Sequence, residues 1–445
     1  MKKYFITFLL LIIFIVPSFS QFISGDWSGE LEISGVKLPL VFHIQHTGDT
    51  LFATMDSPAQ GAKGIKVDKT TFSLNELLME LKSIRATYQG VLSEDSISGT
   101  FSQMGMKILL TLKKGQIEIN EPNRPQMPKP PFDYNIEDLS FVNQKDRNTL
   151  AGTLTTPKNK KNFPVVVMIT GSGSQDRDET LMGHKPFWVI ADYFTKKGIG
   201  VLRMDDRGVG SSSKGKEGAT SADFATDIDA AVKFLKGKGY KNIGLVGHSE
   251  GGMIAPMVAA QNKDVNFLVL MAGPGIPIVS LMVLQTYWVA KSSGATDQMA
   301  KKNAEESKEI YDFMKNYRGV NLQQDLEPFI LEALKNSEET KKLTNDQIKM
   351  MANQQTKVLS SPWFEYFIKF NPQDNLRKLK IPILAINGSL DVQVTPKENL
   401  EGIRLALKKA GNKKSDVIEL EGLNHLFQEA KTGAPSEYSQ IEQTI

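Results

Sequence analysis

Between residue 21 and residue 118, apolar and polar positions alternate in short runs. Examples are G-E-L-E-I-S-G (29–35), L-P-L-V-F-H-I-Q (38–45) and A-T-Y-Q-G-V-L (86–92), with Gly, Asp and Asn between the runs. Period-two alternation with such turn residues is typical of antiparallel strands that bury one face. Residues 21–118 are therefore predicted to form a small all-β domain of about six to eight strands, a barrel or a sandwich.

Beyond residue 135 the pattern changes to compact apolar runs separated by stretches with helical periodicity. Strands that are buried on both faces and alternate with helices indicate a doubly wound, mostly parallel sheet. A strand pair at 139–143 and 149–155 opens this domain, and helices are predicted around 184–197, 221–237 and 251–261. The predicted sheet strands are V-V-V-M-I (165–169), V-L-R-M (201–204), I-G-L-V (243–246), F-L-V-L-M-A (267–272) and I-L-A-I (383–386).

The alternation is interrupted between Ala272 and Ile381. This stretch lacks strand signals and is rich in Lys, Glu, Gln, Met and Ala. It is predicted to form several short helices, inserted at residues 276–378 as a cap over the carboxyl ends of the strands, where open α/β sheets bind ligands. The fold class predicted for residues 136–445 is thus α/β with a helical cap insertion.

A proline-rich stretch separates the two domains. Residues 120–131 hold five of the chain's 20 prolines. Such a run stays extended, because proline fits neither a helix interior nor the middle of a sheet. A linker is therefore predicted at residues 119–135.

The N-terminus has the three parts of a secretory signal peptide. Lys2 and Lys3 precede an apolar run at 5–16, and the small residues at 18 and 20 suit a signal peptidase. The run falls short of the roughly 17–25 residues that span a bilayer. A cleaved signal peptide at residues 1–20 is predicted, with no stable membrane anchor afterwards. The protein is expected in the periplasm or, alternatively, outside the cell.

Composition and charge exclude several classes of protein. The net charge is +3, from 53 basic and 50 acidic side chains, which is too small and too evenly spread to indicate a nucleic acid as partner. The chain has no cysteine, so neither a disulfide nor a catalytic thiol is available. Stability must come from core burial, which a chain of 445 residues allows. No feature assigns an oligomeric state.

The most specific motif is G-H-S-E-G at residues 247–251. It directly follows a predicted strand and directly precedes a predicted helix, G-G-M-I-A-P-M-V-A-A. A serine between glycines on such a turn is the signature of a nucleophile elbow, because strand and helix nearly touch there. The alternative, a glycine-rich bend without chemistry, does not account for this context. Ser249 is the predicted catalytic nucleophile.

A serine nucleophile needs a base, and the chain has five histidines. His425 lies in E-G-L-N-H-L-F, after a short apolar strand at 417–420, and it alone follows Ser249 in the chain, as the order of residues in this fold class requires. His425 is the predicted base. The others are assigned no catalytic role: His43 and His46 in the β domain, His184 at a helix start, and His248, whose side chain is expected to point away from the site.

Asp391 is the predicted acid of a Ser249, Asp391, His425 triad. It lies in I-L-A-I-N-G-S-L-D, in the loop just beyond the penultimate strand. A buried carboxylate there would fix the imidazole tautomer and stabilise the imidazolium that forms during attack. A turn aspartate bonded to its own backbone looks the same in sequence, but order and spacing favour the triad.

An oxyanion needs two preorganised N–H donors. One is predicted from Glu250, the residue after the nucleophile. The other is predicted from the loop I-T-G-S-G-S-Q-D-R-D (169–178), where the Ser172 N–H is the candidate and Gly173 the next. The loop lacks the lysine of a phosphate-binding P-loop. Its acidic residues show no metal-ligand spacing, so no cofactor and no metal are predicted.

Glu250 is an unusual residue beside an oxyanion hole, because its carboxylate opposes developing negative charge unless it is paired. The favoured interpretation is that the side chain turns away and bonds a base such as Arg177 or Arg207. The alternative is that it receives a substrate amine. Arg207 and Gly208, in M-D-D-R-G, are interpreted as holding the shape of their loop.

Four stretches in this order resemble the α/β-hydrolase superfamily, in its serine aminopeptidase-like and esterase branch: M-D-D-R-G-V-G-S, G-H-S-E-G-G, P-I-L-A-I-N-G-S-L-D and G-L-N-H. Together with G-S-G-S-Q-D-R-D-E and an N-terminal β domain, the chain looks like exported bacterial α/β hydrolases typical of Bacteroidetes. The resemblance covers about residues 136–430. It implies the α/β-hydrolase fold and hydrolysis of esters or amides through an acyl-serine.

Three functions are compatible with these observations. The leading one is hydrolysis of small carboxylic esters, in which aromatic residues of S-P-W-F-E-Y-F-I-K-F (361–370) either line an apolar pocket or pack the cap onto the sheet. The second is a peptidase acting on short peptides, with Glu250 or Glu365 as anchor for the amino group. The third is a binding protein with a vestigial hydrolase domain, which an intact triad argues against.

Overall fold

The computed structural model describes most of the chain as two compact units, one within residues 1–121 and the other within residues 122–445. The predicted signal peptide at 1–20 and the start of the predicted linker lie outside the described residues. No helix in the described part of the chain is both long and apolar enough to cross a membrane. The described residues are 23–33, 36–48, 50–58, 62–103, 106–115, 123–158, 160–337, 340–341 and 343–445.

The first unit is one antiparallel sheet. Its described strands are β1 (Gly25–Ile33), β2 (Val36–Thr47), β3 (Thr50–Ser57), β4 (Ala62–Val67), β5 (Lys69–Ser73), β6 (Glu76–Leu81), β7 (Ala86–Ser93), β8 (Ser96–Gln103) and β9 (Met106–Lys114). They pair in the order β4-β3-β2-β1-β9-β8-β7-β6-β5. The predicted all-β region is confirmed, and its nine strands exceed the predicted number. The sequence understated the count because β4 and β5 contain few apolar residues.

The interior of the first unit is apolar, because alternate residues of each strand point inward. The polar groups of two large aromatic residues in this interior have backbone carbonyls as hydrogen-bond partners. The Trp27 indole N–H donates to the Ile23 carbonyl (2.7 Å), and the Tyr88 hydroxyl donates to the Ile97 carbonyl (2.8 Å).

The second unit is built on an eight-stranded sheet in the order β10-β11-β13-β12-β14-β15-β16-β17. The last five strands of this order, together with β13, run parallel, while β10 and β11 are antiparallel to their neighbours. The predicted mostly parallel sheet is confirmed. Its strands are β10 (Tyr134–Val142), β11 (Thr149–Pro157), β12 (Val165–Ile169), β13 (Gly200–Met204), β14 (Ile243–His248), β15 (Val265–Met271), β16 (Ile383–Gly388) and β17 (Ser415–Leu420).

Helices cover both faces of this sheet, so every residue of β12, β13 and β14 is buried. That double covering explains why these strands are mainly apolar, with Arg203 and His248 as buried exceptions. The helices described in this unit are α1 (Pro186–Lys196), α2 (Ser221–Gly237), α3 (Glu250–Ala259), α4 (Ile278–Ser292), α5 (Asp297–Asn316), α6 (Leu322–Asn336), α7 (Asn345–Leu359), α8 (Pro362–Ile368), α9 (Gln373–Leu376) and α10 (Pro396–Lys409).

Helices α4 to α9 lie between β15 and β16 and form the predicted cap insertion. Four of them begin after a residue whose side-chain oxygen accepts the amide three positions later, namely Thr296, Asn321, Thr344 and Ser361. Such caps satisfy amides that the first helical turn leaves unpaired. Met253 of α3 belongs to the same apolar cluster as the cap residues Met314, Leu326 and Phe364, so the cap packs on the helix that follows Ser249.

Candidate active site

Ser249 lies on the sharp turn between β14 and α3. Its backbone has φ 53° and ψ −118°, a strained conformation for a residue with a side chain. A Cβ atom added to Gly247 would lie 2.1 Å from the Gly251 carbonyl oxygen, and one added to Gly251 would lie 2.3 Å from the Ile169 carbonyl oxygen. Strand and helix approach so closely that only glycine fits at these two positions.

Asp391 and His425 form a buried hydrogen-bonded pair. They follow β16 and β17, which are parallel neighbours, so both loops emerge at the same edge of the sheet. His425 Nδ1 lies 2.8 Å from Asp391 Oδ2, while Asp391 Oδ1 accepts the amides of Gln393 and Val394 at 2.8 Å each. A carboxylate held in this way keeps the imidazole proton on Nδ1 and leaves Nε2 as a base.

Two cavities meet at Ser249. The larger, of about 320 Å³, is also lined by His425, by polar residues that include Gln175, His184, Gln393, Tyr438 and Thr444, and by apolar residues such as Leu181, Met182 and Leu426. The smaller, of about 180 Å³, lies against the cap and is lined mainly by the apolar residues Leu281, Met282, Trp363, Phe364, Phe367 and Val394. Ser249 is therefore flanked by two compartments, of which one is lined by His425 and the other lies under the cap.

The sequence did not single out Tyr438 and Thr444, because neither lies in a recognisable motif. His184 lies just before α1, as expected of a helix-start residue, but its ring is buried. Its Nε2 lies 3.0 Å from the Tyr438 carbonyl oxygen, and its Nδ1 lies 3.2 Å from the Thr444 hydroxyl. These contacts build the far wall of the larger cavity.

Ser172, the predicted oxyanion donor, lines both cavities beside Ser249. It lies in residues 170–175, called here the oxyanion loop. The loop approaches the nucleophile closely, since a Cβ atom added to Gly171 would lie 3.3 Å from the Ser249 Cβ atom. Glu250, the second predicted donor, is the first residue of α3, where amides have no acceptor within the helix.

The predicted pairing of Glu250 with Arg177 or Arg207 is wrong. Arg177 pairs with Asp205 at 2.6 Å, and Arg207 pairs with Asp227 at 2.7 Å. Both arginines hold loop shape, as the sequence indicated for Arg207.

Glu250 Oε1 instead accepts the Ser221 hydroxyl (2.6 Å) and the Trp363 indole N–H (2.9 Å). Burial raises the pKa of the Glu250 carboxyl, which brings the group closer to neutrality. The two partners of Glu250 are thus neutral donors, one from α2 and one from the cap.

The expectation that His248 points away from the site is also wrong. Its Nε2 donates to the His425 carbonyl (3.0 Å), and its Nδ1 lies 2.9 Å from Glu179 Oε1. Glu179 Oε1 also accepts the Gly171 amide (2.7 Å). Glu179 was visible in the sequence only as one member of an acidic cluster, because its role depends on contacts with two distant loops.

Asp206, at the end of β13, holds the two ends of the oxyanion loop. Its carboxylate accepts the Thr170 hydroxyl (2.9 Å) and the Gln175 amide (2.9 Å). Burial raises the pKa of Asp206 to about 7, and the nearby carboxylates of Glu179 and Asp227 add to the rise. The loop is therefore supported by a group whose charge changes near neutral pH.

A family model described as the alpha/beta hydrolase fold matches residues 164–431, more than half of the chain. The chain therefore belongs to the α/β hydrolase fold family. All five predicted site residues fall inside the matched range.

Among individual relatives, the chain is 29% identical over 284 residues to esterase EstD of Thermotoga maritima. The match covers 63% of this chain and 58% of that esterase, so the chain spans little more than half of the relative's length. Solved structures of similar fold include the Pyrococcus furiosus esterase Pf2001 (16% identity, 67% of this chain and 87% of that chain, TM-score 0.40) and a Mycobacterium smegmatis proline iminopeptidase (14%, 65% and 91%, TM-score 0.41).

We predict that Asp206→Asn removes a pH-dependent loss of stability. Because the folded protein binds the Asp206 proton more tightly than the unfolded chain does, this group lowers stability as the pH rises from about 4, the ordinary value, to about 7. The effect reaches about 4 kcal/mol at most. In urea unfolding, the free energy of unfolding of the variant minus that of the native protein should therefore be larger at pH 8 than at pH 5.

The matched control is Asp374→Asn, at an exposed carboxylate. Its effect on the free energy of unfolding should be the same at both pH values. An equal difference between native protein and Asp206→Asn at pH 5 and pH 8 would contradict the assignment.

Proposed function

We propose that the protein is a serine hydrolase that cleaves carboxylic esters through an acyl-serine intermediate. The observation that carries the proposal is a strained Ser249 at the mouth of a cavity that it shares with His425, itself bonded to a buried Asp391. A nucleophile, a base and a group that orients the base are the three parts that acyl transfer needs.

In the proposed reaction, His425 Nε2 takes the proton of the Ser249 hydroxyl while Ser249 Oγ bonds to the ester carbonyl carbon. The carbonyl oxygen becomes an oxyanion and accepts the backbone N–H groups of Ser172 and Glu250. His425 then gives its proton to the alcohol oxygen, and the carbon–oxygen bond to the alcohol breaks. In the second half of the reaction, a water oxygen bonds to the acyl carbon while His425 Nε2 takes a proton from that water. His425 then returns the proton to Ser249 Oγ as the bond between Oγ and the acyl carbon breaks, which releases the acid and restores the serine.

The two cavities suggest how an ester is oriented. His425 must reach the leaving oxygen to protonate it, and it lines only the larger of the two cavities. We therefore assign the alcohol part of the substrate to that cavity. The acyl part is assigned to the smaller cavity under the cap, where Trp363, Phe364 and Phe367 offer an apolar wall.

The carboxylates considered as anchors for a peptide amino group have other partners. Glu250 accepts bonds from Ser221 and Trp363. Glu365 is exposed and pairs with Lys369 at 2.6 Å, one helical turn away. An apolar acyl compartment without a dedicated anionic anchor favours esters over peptides as substrates.

The first test is hydrolysis of p-nitrophenyl butyrate beside alanine p-nitroanilide. Native protein should hydrolyse the ester and react with a fluorophosphonate probe, and Ser249→Ala should lose both properties, with kcat reduced by about 10⁴-fold or more. Ser96→Ala, on the β domain, is the control that should retain them. Hydrolysis of the anilide in preference to the ester would replace the esterase proposal with a peptidase, and equal labelling of Ser249→Ala would remove the nucleophile assignment.

The second test concerns the acyl compartment. Phe367→Ala should enlarge the smaller cavity and raise kcat/KM for longer acyl chains relative to acetate, by about fourfold for each methylene that the new space accepts, since each buried methylene contributes about 0.8 kcal/mol. Tyr366→Ala, on the same helix but outside both cavities at Ser249, should leave the preference unchanged. An unchanged chain-length profile in Phe367→Ala would contradict the acyl assignment.

A further inference from the structure

We propose that Glu179 and His248 are positioning residues that hold the catalytic base and the oxyanion loop in fixed positions around the nucleophile turn. The inference rests on the proposed function, because it takes His425 as the base and the Ser172 N–H as an oxyanion donor. Neither Glu179 nor His248 makes or breaks a bond in the reaction.

The pair links three separate segments of the chain. Glu179 Oε1 accepts the Gly171 amide at 2.7 Å and lies 2.9 Å from His248 Nδ1. On the opposite side of the ring, His248 Nε2 donates to the backbone carbonyl of His425 at 3.0 Å. One carboxylate oxygen and one imidazole thus connect the oxyanion loop, the residue before the nucleophile and the residue that supplies the base.

The contacts fix the position of one proton on His248. The His425 carbonyl can only accept a hydrogen bond, so His248 Nε2 must carry a proton. On the other side of the ring, Nδ1 lies within hydrogen-bond distance of Glu179 Oε1. Burial lowers the pKa of His248, but Glu179, the His425 carbonyl and Asp391 together outweigh burial and raise it. Both side chains are about 6–7% exposed, so the hydrogen bonds act without competition from water.

The geometry explains why a histidine precedes the nucleophile. An imidazole presents two nitrogen atoms on opposite sides of a rigid ring and can span the distance from Glu179 to the His425 carbonyl. The rings of His248 and His425 lie in contact, with centroids 4.8 Å apart. A glutamine at the same position carries both donor hydrogens on one nitrogen and cannot reach both partners.

The consequence for catalysis is positional. Anchoring the His425 carbonyl fixes the backbone from which the base projects, and anchoring the Gly171 amide fixes the peptide that leads to the Ser172 N–H. The same carboxylate, that of Glu179, thereby holds the oxyanion loop directly and the backbone of His425 through His248. Small displacements of such groups cost rate rather than substrate affinity, because they matter most in the transition state.

The test compares Glu179→Gln, His248→Gln and the double variant with native protein. Glu179→Gln keeps the shape of the side chain but replaces the carboxylate that contacts both the Gly171 amide and His248 Nδ1 with a neutral amide, so these contacts should weaken. We expect kcat for p-nitrophenyl butyrate, per fluorophosphonate-reactive site, to fall by roughly 10- to 100-fold while KM changes by less than about twofold. Inhibition by butylboronic acid, whose serine adduct is tetrahedral, should weaken by the same factor as kcat.

Because Glu179 and His248 are proposed to act together, their losses in kcat should not be additive, and the double variant should be no slower than the slower single variant. Glu137→Gln, at an exposed pair with Lys238, is the matched control and should keep native kcat. Because kcat is expressed per fluorophosphonate-reactive site, misfolded protein is not counted, and a fall in kcat then reports lost positioning. The inference is overturned if kcat per site stays within about twofold of native in both single variants, if KM alone changes, or if the losses multiply. If native protein shows neither ester hydrolysis nor labelling of Ser249, the proposed function fails first.

Discussion

The constraint on which the rest of the site depends is the close approach of α3 to the end of β14. A Cβ atom on Gly247 would meet the Gly251 carbonyl oxygen, and one on Gly251 would meet the carbonyl oxygen of Ile169 at the end of β12, so this close approach requires glycine at both positions. Ser249 is left with a positive φ of 53°, and α3 begins at the next residue. The same turn therefore presents a hydroxyl at the edge of the sheet and places the first amide of α3 beside it, where charge would develop in the proposed acyl transfer.

Around this turn, four buried carboxylates each hold a different part of the surrounding loops. Asp391 holds His425, Glu179 joins Gly171 to His248, Glu250 joins Ser221 to Trp363 of the cap, and Asp206 holds both ends of the oxyanion loop. Their partners in these bonds are amides, hydroxyls, imidazoles and an indole, which are directional donors. Directional donors fix loop geometry more closely than flexible lysine side chains do, because less side-chain freedom remains. The arrangement keeps the site ordered at the junction of several separate segments.

Much of this could be predicted from sequence because the signals were local. The apolar runs, the G-H-S-E-G turn and the cap insertion each depend on residues close together in the chain, and the α/β fold they predicted is confirmed. The errors concern contacts between distant segments. The partners of Glu250 come from α2 and α8, and those of His248 from the loops at Glu179 and His425. No spacing rule predicts such pairs, since only the folded sheet brings those loops to one edge.

The central claim is that Ser249 carries the acyl group between two half-reactions. The most direct measurement mixes native protein with p-nitrophenyl butyrate, quenches with acid during turnover, and locates the added mass by peptide mapping. The account predicts one butyryl group per chain on the peptide that contains Ser249, appearing with the first burst of p-nitrophenol. Butyryl found on another residue, or continued turnover with Ser249 unmodified throughout, would contradict it.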